Sequence, residues 1–155
     1  FPEDLAFFHA AGRIGAELHR AGDAPLVLYR FSPTSFSWRV PRQLLAAVRV
    51  AAFEHRILQG RWKGREFSIW GAGRDGQTFF RFLSPQAKLL VKAFADIDPK
   101  KIGTKARGGE GPDIIHFSEL QPPVVTCVAL DRTDGVFEGN LASLHLPHSD
   151  VIHFA

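Results

Sequence analysis

The sequence of 155 residues contains no methionine and a single cysteine. One cysteine excludes an internal disulfide, which fits a reducing compartment. Cys127 falls within the apolar run of residues 124–130, so we predict a buried, unreactive thiol and not a nucleophile. No apolar run approaches the roughly 20 residues that a membrane-spanning helix needs, and no signal-peptide pattern opens the sequence. We therefore expect a cytoplasmic protein with no membrane partner.

The absence of methionine, together with a first residue Phe1, favours a piece cut from a longer protein. We expect the remainder to hold part of any active site. Hydrophobic residues make up 45% and charged residues 23% of the sequence, which is typical of a globular protein. The length suits one ordinary domain, or a small domain with an appendage.

Acidic residues are scarce in the first part of the chain and basic residues in the last. Residues 1–111 contain 18 lysines and arginines against 10 acids, and residues 112–155 contain one arginine against six acids. This asymmetry is compatible with a polyanionic partner, such as nucleic acid or nucleotide phosphates, and equally with a solvated charged surface.

A glycine motif organises the middle of the sequence. An apolar run at residues 67–70 leads into Gly71-x-Gly73-x-x-Gly76, an amphipathic segment follows, and a second apolar run ends at Asp96. This order predicts a β-α-β unit. Gly71 permits a tight turn, Gly73 lets a ligand approach the backbone, and Gly76 lets the helix pack closely on the strand.

Two interpretations of this motif stay open. In a dinucleotide-binding fold, the first turn of the helix binds phosphate and a carboxylate about 20 residues later binds a ribose hydroxyl, the position of Asp96. Alternatively, the glycines serve packing alone. Asp96 and Asp98 also form a D-x-D pattern, but Asp98 has a simpler explanation as a helix N-cap. We therefore predict no metal ligands in this sequence.

Further elements follow from apolar periodicity and from helix start signals. A helix is predicted after Glu3 and Asp4, a strand at residues 25–30, and a helix from residue 41 to about residue 59. The latter carries Arg42, Arg49 and Arg56 at seven-residue spacing, which aligns them on one helical face. With strands near residues 114, 124–130 and 151–154, and a helix over residues 136–146, the second part of the chain is predicted to be an α/β fold, a small Rossmann-like doubly wound sheet.

The sequence resembles the C-terminal part of the family-two glycosyltransferase-like proteins once called beta-N-acetylglucosaminyltransferase-like and now associated with queuosine-tRNA galactosyltransferase. The resemblance covers essentially the whole chain. The matching segments are Phe1-Pro2-Glu3-Asp4-Leu5 with Phe7-Phe8, Pro25-Leu26-Val27-Leu28-Tyr29-Arg30, Ser68-Ile69-Trp70-Gly71-Ala72-Gly73, residues 124–131, and Phe137-Glu138-Gly139-Asn140-Leu141-x-Ser143-Leu144-His145-Leu146. The last of these segments is the most specific.

The resemblance implies two parts. Residues 1–62 would be the mainly helical, acceptor-side C-terminal end of a GT-A glycosyltransferase domain, and residues 63–155 a Rossmann-like accessory domain. In such inverting transferases a Glu-Asp pair at the head of a helix supplies the general base, which maps to Glu3 and Asp4, with Asp4 preferred.

The resemblance also implies ligands of the full-length protein. These are a UDP-sugar donor, a divalent metal ion, and queuosine in tRNA as a candidate acceptor. The nucleotide-sugar half is expected to lie outside this sequence, so we expect the present chain to be inactive and to need no cofactor. The alternatives are a non-catalytic nucleotide-binding or protein-interaction module and, ranked last, an NAD(P)-dependent oxidoreductase. The donor sugar and the oligomeric state are left open.

Overall fold

The computed structural model describes residues 3–17, 19, 22 and 40–154. The strand predicted at residues 25–30 lies outside the described residues. No helix within these ranges is long and apolar enough to cross a bilayer.

Five parallel strands of the described residues form one sheet. They are β1 (Phe67–Trp70), β2 (Val91–Asp96), β3 (Ile114–His116), β4 (Val124–Thr126) and β5 (Val151–His153). Their order is β3-β2-β1-β4-β5, and every neighbouring pair is parallel. The chain moves outward from β1 to β3, then crosses back to place β4 on the other side of β1. This reversal confirms the predicted Rossmann-like doubly wound α/β fold.

Helices connect and precede the strands. They are α1 (Glu3–Arg13), α2 (Arg42–Phe53), α3 (Arg74–Phe82), α4 (Pro85–Leu89) and α5 (Val136–Ser143). A π-helical segment, Glu54–Arg61, continues α2 directly. Short 3₁₀ turns occur at Arg107–Gly109, Phe117–Glu119 and His148–Asp150.

Strand alternation sends side chains into two cores. On one side of the sheet, Phe67 and Phe79 pack around Phe53 of α2, with the rings of Phe53 and Phe79 5.2 Å apart, edge to face. On the other, Trp70 stacks on Phe117 at 5.3 Å and meets Phe137 of α5 edge to face at 4.9 Å. Both faces of the sheet are therefore covered, as a parallel sheet requires.

Two residues just before β1 contact the turn that leads into β5. Trp62 is fully buried and its indole N–H donates a hydrogen bond to the carbonyl oxygen of Ser149 at 3.3 Å. Arg65 forms two hydrogen bonds of 2.9 and 3.0 Å with the Asp150 carboxylate. The division of the chain at residue 62 stays a prediction, but α2 and its π-helical continuation pack on the sheet.

Two elements are shorter than the sequence suggested. The strand predicted over residues 124–130 ends at Thr126, and the helix predicted from residue 136 to 146 ends at Ser143. At Thr126 both neighbouring strands have reached their last paired residues, Trp70 of β1 and His153 of β5. His145, two residues beyond α5, has a positive φ of 48°, a left-handed conformation that cannot continue a right-handed helix. In both places the apolar sequence continues after the regular backbone has ended.

The closest approach in the β-α-β unit is between the start of α3 and the end of β1. A β-carbon at Gly76 would overlap the carbonyl oxygen of Gly71 and lie 3.4 Å from the Phe94 ring. Gly76 is therefore required for packing whether or not a ligand binds.

Two helical glycines provide a matched test of this contact. We expect Gly76→Ala to destabilise the fold by at least about 1–3 kcal/mol through overpacking. Gly139→Ala in α5 should instead preserve or slightly raise stability, because a β-carbon there meets open space and alanine favours helix. Urea unfolding of both variants measures the difference. Equal stability of the two variants would show that α3 can shift away from β1 at little cost.

Candidate functional site

The glycine loop, which we define as residues 71–73, lies where the sheet reverses direction. β1 has β2 on one side and β4 on the other, and ligands of open α/β sheets bind at the carboxyl ends of strands beside such a reversal. Gly71 has a φ of 110°, and a β-carbon there would approach the carbonyl oxygen of Cys127 to 3.1 Å. Glycine is thus required for the turn from β1 towards α3.

The loop ends at an uncapped helix. Gly73 is the N-cap of α3, and within the described part of the chain no side chain caps the first turn. The first N–H groups of a helix have no intrahelical acceptor and attract anions. The position of a β-carbon on Gly73 would face open space. The backbone N–H groups at this point are therefore open to a ligand.

Asp96 lies beside the glycine loop, but its carboxylate is occupied by protein donors. Oδ2 accepts hydrogen bonds from the amide of Ala72 at 3.0 Å and from Lys101 Nζ at 2.9 Å. Oδ1 accepts from the amides of Ile97 at 2.9 Å and Asp98 at 3.0 Å. An ionised carboxylate has about four acceptor positions, so all are used. Asp96 ties the glycine loop to the end of β2, and its role as a ribose ligand stays a prediction.

The same contacts determine the protonation of Asp96. Burial by itself raises the pKa of this carboxyl group. The hydrogen bond and charge of Lys101, with the amides of Asp98 and Ala72, outweigh burial, and the pKa lies below its usual value. The carboxylate is therefore ionised at neutral pH and bonded to its partners.

A crevice of about 180 Å³ adjoins the loop at the carboxyl edge of the sheet. Its walls are largely apolar, and three polar side chains, Asp96, Thr133 and Asn140, also line it. The lining residues are Trp70, Gly71, Asp96, Ile97, Val128, Thr133, Val136, Phe137 and Asn140. This volume is below the roughly 300 Å³ at which pockets for drug-sized ligands begin. The crevice suits one ring system better than a whole dinucleotide.

The D-x-D pair does not suit a divalent metal ion. Lys101 Nζ lies 2.9 Å from Asp96 and 3.9 Å from Asp98, so an ammonium group takes the position between the two carboxylates. Across the described part of the chain, no group of three or more His, Cys, Asp or Glu side chains is placed to hold a metal.

The predicted catalytic pair lies apart from these features. Glu3 and Asp4 are exposed in the first turn of α1, and Asp4 Oδ1 accepts a hydrogen bond from the amide of Leu5 at 2.7 Å. Neither residue lines the crevice. The structure therefore leaves the carboxylates open to solvent at a helix start and does not bring them to the glycine loop.

A second concavity, which we call the arginine groove, lies between α2 and α3 and measures about 630 Å³. Among the described residues, five arginines and one acid, Asp75, line it. These arginines are Arg42, Arg49, Arg74, Arg81 and Arg132. The sequence had indicated Arg42 and Arg49 but not the other three.

Arg56, the third member of the predicted stripe, does not line the groove. It lines a separate cleft beside α1 with Phe8 and Gly12. The predicted alignment of the three arginines required a continuous α-helix, whereas the backbone becomes π-helical from Glu54. The wider turn changes the angular position of each later side chain. Arg74 and Arg81 share the seven-residue spacing of Arg42 and Arg49, a signal that was available in the sequence.

Cys127 at the end of β4 is a free, buried thiol, which confirms the prediction for this residue. Burial, and to a smaller extent the charge of Asp75, raise the pKa of the thiol. The thiolate required of a nucleophile is therefore disfavoured.

No family model matches the sequence. A solved structure of RSP in complex with beta-NAD+ and operator DNA is similar to this chain, with a TM-score of 0.42 and 18% sequence identity. The match covers 69% of this chain and 57% of that chain, so this chain matches little more than half of its length. At this degree of similarity the comparison establishes neither a family nor a ligand.

The contacts of Asp96 predict a pH-dependent stability. The lowered pKa means that the carboxylate stabilises the fold above its unfolded-state pKa of about 3.9, and that this contribution is lost as the pH falls through the folded-state value. We expect Asp96→Asn to cost about 1–3 kcal/mol at pH 6, and the difference from wild type to narrow towards pH 3. Thermal unfolding of both proteins between pH 6 and pH 3 measures this difference in stability.

Asp134→Asn, on the exposed loop before α5, is the matched control and should change stability little. A penalty for Asp96→Asn that is small at pH 6, or that stays constant to pH 3, would contradict the clamping role of the carboxylate.

Proposed function

We propose that this chain contains a nucleotide-binding module in which the glycine loop and the first turn of α3 bind phosphate. The observation that carries the proposal is the uncapped first turn of α3, which opens at the reversal point of the sheet behind an unobstructed Gly73. Backbone N–H groups there provide both hydrogen bonds and the positive end of the helix dipole.

The surroundings favour a ligand with a single nucleoside over NAD(P). The acceptor positions of Asp96 are engaged by Ala72, Lys101, Ile97 and Asp98, so a ribose hydroxyl would have to displace one of these donors. The adjoining crevice, about 180 Å³ in volume, has room for one ring system. Both features also count against the oxidoreductase alternative.

Calorimetric titration of the chain with ADP, UDP and NAD⁺ tests this proposal. We expect one of the mononucleotides to bind more tightly than NAD⁺. We expect Gly73→Ala to weaken its binding about tenfold or more, equivalent to about 1.4 kcal/mol, because the added methyl group enters the space through which phosphate would approach. The melting temperature should change little, since Gly73 has a φ of −82° and open space beside it.

Gly139→Ala, which adds a methyl group to an unobstructed glycine of α5, serves as the control and should keep wild-type affinity. The proposal is wrong if no nucleotide titrates, or if Gly73→Ala binds as tightly as the control.

We propose, in addition, that the chain is the C-terminal portion of a nucleotide-sugar-dependent inverting glycosyltransferase, with queuosine in tRNA as candidate acceptor. The sequence resemblance is the basis of this second proposal. Two features are compatible with it: Glu3 and Asp4 are exposed carboxylates at the start of α1, accessible to an acceptor hydroxyl, and arginines are concentrated between α2 and α3. Asp4 would accept the proton of the attacking hydroxyl. The UDP-sugar and its divalent metal would bind elsewhere in the full-length protein.

Asp4→Asn in the full-length protein tests the assignment of the base. We expect sugar transfer to fall by about 100-fold or more, the usual contribution of a general base, with donor binding nearly unchanged because asparagine preserves the helix start. Glu17→Gln, an exposed acid beyond the end of α1, should keep wild-type turnover. Near-normal turnover of Asp4→Asn would remove Asp4 from the mechanism.

A further inference from the structure

The arginine groove has a regular construction. α2 and α3 pack side by side in the core through Phe53 and Phe79, and each helix carries two arginines seven residues apart. These are Arg42 and Arg49 on α2, and Arg74 and Arg81 on α3. A seven-residue step on a helix spans about 10.5 Å along its axis. The two pairs therefore line a concavity with cationic groups on both of its long sides.

Negative charge in the groove is sparse. Arg132, from the loop after β4, brings a fifth guanidinium group, whereas Asp75 is the one acid among the lining residues that the structure describes. Asp75 Oδ1 lies 3.6 Å from Arg74 Nε, so these two residues form a salt bridge. Among the described residues, no carboxylate forms a salt bridge with Arg42, Arg49, Arg81 or Arg132. All five arginines are exposed, and the charges of the four that have no carboxylate partner are available to a ligand. One of these four, Arg49, also donates a hydrogen bond of 3.4 Å to the carbonyl oxygen of Phe154.

The groove also has apolar lining residues. Leu45, Ala46, Ala129 and the half-buried ring of Phe154 contribute apolar contact area. The volume of about 630 Å³ falls within the range of roughly 300–1,000 Å³ typical of ligand sites. A concave site of this size distinguishes the groove from an evenly solvated charged face, where arginines would point outward from a convex surface.

The chemistry of guanidinium selects the ligand class. Arginine presents a planar fork of donors that matches the oxygens of phosphate, and it stays charged at all relevant pH values. Mutual repulsion among five like charges is unfavourable without a counter-ion. Two arginines separated by two helical turns are best neutralised by separate anionic groups on one ligand.

We propose that the arginine groove binds a ligand that carries two or more phosphate groups. The phosphates could belong to a free polyphosphate compound or to a single strand of nucleic acid, since both present the same anionic oxygens to guanidinium. The proposal does not depend on the glycine loop, because four of the five arginines lie outside the first turn of α3.

Two probes and two matched variants test the groove. The groove variant combines Arg42→Gln, Arg49→Gln and Arg81→Gln. The control variant combines Lys63→Gln, Lys92→Gln and Lys100→Gln, which removes the same charge from exposed positions outside the groove.

Inorganic tripolyphosphate is titrated by calorimetry, and a fluorescently labelled single-stranded oligonucleotide by anisotropy over a series of salt concentrations. Circular dichroism checks that each variant is folded, and Arg132→Gln, a single change in a loop, provides a milder variant.

We expect the groove variant to lose about tenfold or more in affinity for at least one probe, and the control variant to stay within about twofold of wild type. For the oligonucleotide, each lost phosphate contact should lower the slope of log affinity against log salt by about 0.7. Binding of tripolyphosphate would assign the groove to a free polyphosphate compound, and binding of the oligonucleotide alone would assign it to a nucleic acid strand.

The proposal is overturned if neither probe binds at low salt, or if the groove and control variants lose affinity equally. Gly73→Ala distinguishes loss of binding in the groove from loss of nucleotide binding at the glycine loop. This variant should leave the affinity of the groove for both probes unchanged. A groove that binds normally in Gly73→Ala, while mononucleotide affinity falls, would show that the two sites are distinct.

Discussion

The contact between Gly76 and the carbonyl oxygen of Gly71 constrains most of the remaining structure. Without a side chain at Gly76, α3 lies directly against the end of β1. This position places Phe79 in the core beside Phe53 of α2 and leaves the first turn of α3 open at the carboxyl edge of the sheet. The glycine loop and the arginine groove both depend on that placement, since each is bounded by α3.

Polar groups near α3 fall into two contrasting arrangements. The Asp96 carboxylate receives four hydrogen bonds from the protein and thereby holds Ala72 and the end of β2 together. The arginines of the groove, in contrast, face one acid, Asp75. A group whose hydrogen bonds are already formed within the fold contributes to stability, whereas unpaired charges and uncapped N–H groups are the ones that can bind a ligand.

Local sequence determined the β-α-β unit, because strand length, glycine spacing and the terminal Asp96 are all encoded within thirty consecutive residues. It could not reveal that Lys101 engages Asp96, since a hydrogen-bond partner depends on the loop geometry. The groove requires α2 to pack on α3, and that contact joins residues far apart in sequence. Arg56 departs from the predicted stripe because the backbone is π-helical from Glu54, whereas the predicted alignment was based on regular α-helical spacing.

Binding at the glycine loop is observed most directly through its own amides. Titration of the ¹⁵N-labelled chain with ADP and with UDP, followed by NMR, reports on each N–H group separately. If phosphate binds at the first turn of α3, the amide signals of Gly73, Arg74 and Asp75 should shift together and saturate with one dissociation constant. Amides of this turn that stay unchanged at millimolar concentrations of both nucleotides would contradict a nucleotide-binding role for the loop.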